Sequence, residues 1–452
     1  MQYINVAEMN KEQIKEHLVR PAFDSIELPE ELKQGIAKMF GKQLDALAVV
    51  QKIVTDVRCE GDNKLLYYTE KIDRVKLTRQ SMLVSKAEFA EAEEIVDKKV
   101  VESLRKSIDN VKKFHEEQLP KSWLTFRELG CIMGQKVTPL DCVGIYVPGG
   151  TAAYPSSVIM NAVPAKVAGV KEIVMCVPPG EGGKINPYVL VAANLVGVDK
   201  VFKAGGAQAI AAMAFGTDMV PKVDKITGPG NIFVTLAKKE VYGHCDIDML
   251  AGPSEILVIA DENADASYIA ADLLSQAEHD PLASCVLVTN SSVILSTVKE
   301  QISEQIEKLP RKKLAKASID KQCKLIVTKD LLQAVEVANI CAPEHLEVLV
   351  KEPFNLLPYL KHAGAIFLGE YSPEPLGDYY AGPNHVLPTG GTARFYSVLN
   401  VETFMKKTSI ISYSEEALLA AGADVIRLAE AEGLDAHANS VRLRMQKEQR
   451  NV

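Results

Sequence analysis

Four places in the chain gather side chains that could do chemistry. Gln276 and His279 stand three apart in LLSQAEHDP. On a helix that spacing puts both on one face, and two such groups aimed at one point make half of a metal site. Glutamine is a rare ligand, and a polar helix end with Glu278 and Asp280 beside a histidine reads the same way. Glu344 and His345 are neighbours in CAPEHLEV, where a helical stretch gives way to an extended one. A carboxylate beside an imidazole at the mouth of a sheet is an acid–base pair, and histidine works near neutral pH with little tuning. A solvated turn is the plainer alternative. The stretch EPLGDYYAGPNH holds Glu374, Asp378 and His385 among glycines and prolines. It could offer Asp378 to a metal, or be a structured surface loop. In AEAEGLDAHANSVR, Gly433 ends one helix and Asp435 or Ala436 begins the next, so Glu432 and His437 flank a helix junction.

A second kind of chemistry is suggested by glycine-rich turns. Gly149-Gly150, Gly205-Gly206 and Gly228-Pro229-Gly230-Asn231 each follow an extended run and precede a helical one. Backbone N–H groups at such places can hold a pyrophosphate, although tight βα turns look the same. Neither GxGxxG nor GxxxxGK[ST] occurs, so the two common nucleotide fingerprints are absent. Together these groups suggest a metal-assisted enzyme that uses a nucleotide. Their spacing does not choose the reaction.

The elements that must position them are short strands alternating with helices. VGIYVPGG leads into SSVIMNAVPAKVAG, EIVMCVPPG into NPYVLVAANLVG, KVFKAGG into AQAIAAMAFG, and DKITGPGN into IFVTLAKKEVYG. Such units argue for a parallel sheet flanked by helices, and its strands are apolar on both faces because both are covered. A second series follows. EILVIAD, CVLVTN, KLIVTKD, HLEVLV and AIFLGE read as strands; ASYIAADLLSQAEHD, VILSTVKEQISEQIEKL and LLQAVEVANICA read as helices. The first 120 residues read as charged helices, with extended pieces near Val75 and Met82-Leu83-Val84, and after residue 400 the chain reads helical to its end. Residues 372–393 form a long Gly/Pro-rich loop of the functional kind. The expected fold class is α/β, two Rossmann-like parallel-sheet domains with helical N- and C-terminal segments. The expected boundaries are 1–34 for an N-terminal helical segment, 35–140 with 256–399 for a first, discontinuous α/β domain, 141–255 for a second, and 400–452 for a C-terminal segment.

Composition excludes several classes. The 452 residues carry a net charge of −8, with 47% hydrophobic and 24% charged residues. These are values of an ordinary globular protein, and a mildly acidic chain has no general attraction for nucleic acid or an anionic membrane. No apolar run reaches the roughly 18 residues a membrane span needs, and MQYINVAEMNKEQIKEHL has no signal-peptide core. None of the eight cysteines forms a CxxC pair, so buried free thiols in a reducing compartment are expected. The reading is a cytoplasmic protein.

The motifs VGIYVPGGTAAYPSSVIMNAVPAKVAG, GGAQAIAAMAFGT, DKITGPGN, AGPSEILVIAD, AEHDP, APEHLE, GPNHVLPTGGTARF and AEAEGLDAHANSVR resemble those of the histidinol dehydrogenase family, in the family's order from about residue 135 to 443. The resemblance implies oxidation of L-histidinol through L-histidinal to L-histidine, the last steps of histidine biosynthesis. Two NAD molecules take the hydrides, one zinc is bound per active site, and the enzyme is a homodimer. It implies Gln276, His279, Asp378 and His437 as zinc ligands, His437 reaching the partner subunit's site from the 400–452 segment. Glu344 and His345 correspond to the catalytic pair. Substrate contacts are implied for Ser254, Gln276, His279, His345, Asp378, Glu432 and His437, with His385 and Glu374 lining the pocket. NAD contacts are implied for Tyr146, Gln208 and Asn231, which makes 141–255 the NAD-binding domain. Leu250 stands where the family usually has proline before AGPSE, and YSVLNVETF differs modestly from the common wording; neither touches an implied site residue. Two alternatives remain at this level, a relative of the same fold that oxidises another alcohol and a non-catalytic sensor of metabolite and NAD. Glu432 and His437 favour histidinol, and a sensor has no use for Glu344.

Overall fold

The computed structural model describes residues 1–18, 28–149 and 153–446. Residues 19–27 of the expected N-terminal segment, Gly150 of the first glycine turn and the last six residues lie outside the described residues. Two compact units are present: 1–118 with 140–404, and 119–139 with 405–452.

The first unit contains two parallel sheets. One has six strands in the order Gln2–Asn5, Lys324–Val327, Ser284–Thr289, Glu255–Ala260, His345–Leu349, Ala365–Leu368. Every neighbouring pair is parallel, with Leu287 opposite Leu325 and His345 opposite Ile256. The Glu255–Ala260 and His345–Leu349 strands are buried along their whole length. Helices cover both faces. Ala266–Ala277, Ser292–Gln305 and Lys312–Gln322 pack their apolar residues on one side, and Lys11–His17 and Leu331–Cys341 on the other.

The other sheet has five parallel strands in the order Lys200–Lys203, Glu172–Val177, Cys142–Tyr146, Lys225–Thr227, Asp246–Ile247. Numbered along the chain this is 3-2-1-4-5, the arrangement with a switch point between the first and fourth strands. The helices Ala46–Glu60, Gly206–Phe215 and Ile232–Val241 share one apolar cluster with it. Val84 donates to the carbonyl of Val201, so the extended piece expected near Leu83 lies beside this sheet.

The expected α/β class is found, with three corrections. The N-terminal segment opens with the strand Gln2–Asn5 rather than a helix. Its alternation, Tyr3 exposed and Ile4 buried, is that of a strand half-covered at a sheet edge. The C-terminal segment likewise opens with a strand, Met405–Ser412, which pairs antiparallel with Ile132–Pro139, itself antiparallel to Trp123–Phe126. The helices Glu415–Ala431 and Asp435–Met445 follow and meet where Gly422 faces Met445. The loop expected at 372–393 contains a short helix, Glu374–Tyr379. All eight cysteines are thiols; Cys59 is exposed and Cys142 partly so, and the other six are buried.

Candidate functional site

The Leu331–Cys341 helix stops at Ala342, whose backbone is left-handed with φ 47°. That conformation costs an alanine on the order of 1 kcal/mol, and here it turns the chain so that Glu344 and His345 lead into the next strand. The turn is held by two hydrogen bonds of 2.9 Å, from Gly364 N–H to the Pro343 carbonyl and from Ala365 N–H to the Glu344 carbonyl. A Cβ on Gly364 would lie 2.6 Å from the Glu344 carbonyl oxygen, so the close approach requires glycine.

Glu344 and His345 are both buried and both bound to the backbone of Glu255. The Glu255 N–H donates to Glu344 Oε2 at 2.9 Å. His345 Nδ1 lies 3.0 Å from the Glu255 carbonyl oxygen. A carbonyl only accepts, so Nδ1 carries the proton and Nε2 is a bare acceptor. That Nε2 is buried without a hydrogen-bond partner, 3.9 Å from Glu374 Oε1 and from Asp378 Oδ1. Burial holds the imidazole below the usual histidine pKa, against the pull of Asp378. A neutral ring with a free lone pair is the form a general base needs. Glu344 Oε2 stands 3.7 Å from His345 Nδ1. Burial pushes its carboxyl well above the ordinary range, and the acidic groups of Glu255, Glu374 and Asp378 push the same way.

Beside this pair, His279, Glu374 and Asp378 bring potential ligand atoms within 4.8 Å of one another. The Ala266–Ala277 helix ends before His279, whose N–H still donates to the Gln276 carbonyl at 3.2 Å. The two groups therefore share one turn, with His279 just beyond the helix rather than on it. Gln276 is buried, and its amide nitrogen, turned to satisfy both groups, donates to the Glu374 oxygens at 2.8 and 3.2 Å. Glu374 begins the Glu374–Tyr379 helix, and its own N–H donates to Glu347 Oε1 at 2.7 Å. Burial, then repulsion from Asp378, pushes the Glu374 carboxyl well above its ordinary value. Asp378 Oδ1 is 3.8 Å from His385 Nδ1, and burial lowers the pKa of that ring too. Among the described residues no lysine or arginine pairs with Glu344, Glu374 or Asp378. Carboxyls crowded in this way are relieved by a bound cation. Ser254 directly precedes Glu255, and its carbonyl accepts from Ser284 N–H at 3.0 Å.

Two acids escaped the sequence reading. Glu347 is fully buried two residues beyond His345, and a strand places such residues on one face. Asp272 precedes Gln276 by four on one helix face. Burial and then Asp272 push Glu347 up to about 9, and burial pushes Asp272 up to about 6. A glutamate inside the apolar run HLEVL was the available signal, since charged residues are almost never fully buried without a partner.

The cofactor-type residues lie on the five-stranded sheet. Tyr146 closes the Cys142–Tyr146 strand, is buried, and accepts from Gly206 N–H at 3.1 Å. Gln208 lies fully buried in the first turn of Gly206–Phe215; its Nε2 donates to Asp73 at 3.3 Å and its Oε1 has no partner. Asn231 caps Ile232–Val241, accepting from Phe233 and Val234 N–H at 3.1 and 3.2 Å. At Gly228, φ is 115° and a Cβ would lie 2.1 Å from the Tyr146 carbonyl oxygen, so this turn too requires glycine. It is clamped from below. Lys238 Nζ donates to the Gly228 carbonyl at 3.0 Å and pairs with Asp248, which accepts from Gly228 N–H at 2.8 Å.

Glu432 and His437 belong to the second unit. Glu432 ends the Glu415–Ala431 helix, Gly433 turns the chain with φ 73°, and His437 follows in the first turn of Asp435–Met445. Both side chains are exposed.

Comparison with known proteins places these observations. The sequence model described as histidinol dehydrogenase matches residues 39–445. The chain is 57% identical over 398 residues to a histidinol dehydrogenase of Heliobacterium mobile, covering 88% of this chain and 93% of the relative. It is 54% identical over 395 residues to that of Bacillus subtilis (strain 168), covering 87% and 92%. The crystal structure of histidinol dehydrogenase from Elizabethkingia anophelis superposes with a TM-score of 0.90 at 36% identity, covering 99% of each chain.

Proposed function

Because the chain belongs to the histidinol dehydrogenase family, and is therefore an oxidoreductase of histidine biosynthesis, we propose that it carries out the full four-electron oxidation of L-histidinol through L-histidinal to L-histidine. Two NAD molecules and one zinc ion per active site complete this reading. The observation that carries it is the bare, buried Nε2 of His345, a base held ready among acidic groups.

Gln276, His279 and Asp378 would hold the ion, with a fourth ligand from His437 of the other subunit, while Glu374 fixes the Gln276 amide. The crowded carboxyls without a basic partner fit a cation. Zinc supplies positive charge that orients nitrogen donors and steadies negative charge, with no redox part because it is d¹⁰. Tyr146, Gln208 and Asn231 would hold NAD, which accepts hydride; the unpaired Gln208 Oε1 and the glycine turns fit such a ligand. The remaining work falls to this chain's side chains. His345 Nε2 takes the alcohol proton while Nδ1–H stays on the Glu255 carbonyl, so the ring keeps its aim. Glu344 takes a proton from the water that adds to the aldehyde. A carboxylate and an imidazole side by side suit two successive deprotonations. Ser254 and Glu432 contact the substrate, and His385 lines the pocket. In this reading 141–255 serves the dinucleotide and 256–399 the chemistry. The homodimer is supported by the second unit, where Trp123, Phe126, Ile411 and Tyr413 are all exposed and large, and large exposed apolar groups mark interaction surfaces.

Purified protein given zinc, NAD and histidinol should release two NADH per histidine formed. One NADH, or reaction with another alcohol only, would point to a relative of different specificity, and none to a sensor. His279→Asn should lower zinc content by elemental analysis together with turnover; full zinc occupancy in that variant removes His279 from the ligand set.

A further inference from the structure

One acidic group at the cofactor end of the five-stranded sheet has no part in the scheme above. Asp73 ends the π-helical turn Thr69–Asp73, and Arg74 after it is left-handed, with φ 58°. Such turns are frequent at functional sites. From outside the sheet, the turn delivers Asp73 to the carboxyl ends of two strands. Its Oδ2 accepts from Gln208 Nε2 at 3.3 Å. Its Oδ1 lies 3.1 Å from where a Gly205 Cβ would be, and the ring of Pro178 lies 2.5 Å from the same point. Gly205 follows the third strand in chain order and Pro178 the second. The Tyr146 hydroxyl, from the first strand, occupies the neighbouring Gly206 N–H.

This chain's own groups therefore already fill the start of the Gly206–Phe215 helix, and one of them is a carboxylate. A phosphate there would face like charge. A sugar diol would face an acceptor, and Gln208 Oε1, buried and unpartnered, is a second acceptor beside it. Lys203, the last residue of the third strand, is tied to Glu88 at 2.5 Å and is not available to a phosphate. In parallel sheets of this strand order the adenosine half of a dinucleotide lies over the first three strands, and an acid there receives the ribose 2′-hydroxyl and rejects a 2′-phosphate.

We propose that Asp73 binds the adenosine ribose diol of the dinucleotide and sets the preference for NAD over NADP. This rests on the NAD reading given above. The test is binding without turnover. NADH and NADPH fluorescence is titrated against wild type, Asp73→Asn and Asp73→Ser, with circular dichroism of each variant to confirm its fold. Asp73 accounts for the preference if NADH weakens roughly ten- to hundredfold in the variants, the usual worth of a charged hydrogen bond, while NADPH weakens far less. Equal weakening of both, or none, overturns it. A second arm needs no variant: on wild type, ADP-ribose must displace NADH much better than its 2′-phosphorylated form, and equal displacement overturns the proposal. If wild type binds neither NADH nor NADPH, the cofactor reading itself fails and the role of Asp73 falls with it.

Discussion

In the proposed function the two parallel sheets of the first unit present opposite ends to their tasks. In the six-stranded sheet, Glu255, His345 and Ala365 open their strands, and the helices Ala266–Ala277 and Leu331–Cys341 finish beside them. In the five-stranded sheet, Tyr146 closes its strand, and Ile232–Val241 begins near it, after the Gly228 turn. A helix end carries about half a charge, negative at the C-terminus and positive at the N-terminus. The first arrangement suits a cation and an acid–base pair; the second suits an anionic dinucleotide. Open α/β sheets usually bind at the carboxyl ends of their strands. In the proposed function the six-stranded sheet departs from that habit, and the sign of what it gathers gives the reason.

The sharpest way to break this division is at Glu344. Glu344→Gln should slow conversion of added histidinal to histidine by roughly 10²–10⁴-fold, the worth of a positioned base, while NADH binding stays as in wild type. An unchanged rate would remove Glu344 from water activation. The mirror experiment is Lys238→Met. It strips one partner from an ion pair whose side chains are only 2% and 1% exposed. That should cost about 3–5 kcal/mol in urea unfolding and weaken NADH binding through the Gly228 turn. Zinc content should not change, and a parallel loss of zinc would show that the two ends do not work separately. The smallest effect concerns Asp73, which burial pushes up to about 6, above the unfolded value of about 3.9. The native state then holds that proton more tightly. The stability it lends is complete below about pH 4 and is lost as pH rises through about 6. Asp73→Asn removes the loss, so the variant should gain about 1–3 kcal/mol over wild type near pH 8 relative to the difference near pH 4. A difference independent of pH would sink this assignment.

Much of this was legible in residue order. Strands such as EILVIA and SCVLVT announce themselves because burial on both faces leaves them wholly apolar. Glu344 and His345 stood out as adjacent chemistry at a helix-to-strand junction, and that junction is where the structure has them. What was illegible depends on partners far along the chain. QYIN is four residues long and becomes a strand only beside Lys324–Val327. Met405–Ser412 is mostly exposed, polar in composition, and is made a strand by pairing with Ile132–Pro139. Asp73 sits in a charged helical stretch, TEKID, where nothing local separates it from a solvated acid; its meaning comes from Gly205 and Gln208. Glu374 drew notice as a loop acid, but its hold on Gln276 is a contact across roughly a hundred residues.

The placing of Gln2–Asn5 at the edge of the six-stranded sheet has a consequence for assembly during synthesis. All five strands of the other sheet fall between Cys142 and Ile247, so the ribosome releases them together. The edge strand must wait for Lys324–Val327, roughly 320 residues later, which at ordinary elongation rates is on the order of tens of seconds. The half proposed to hold the dinucleotide is thus whole in the nascent chain while the half proposed to do the chemistry still lacks its last strands.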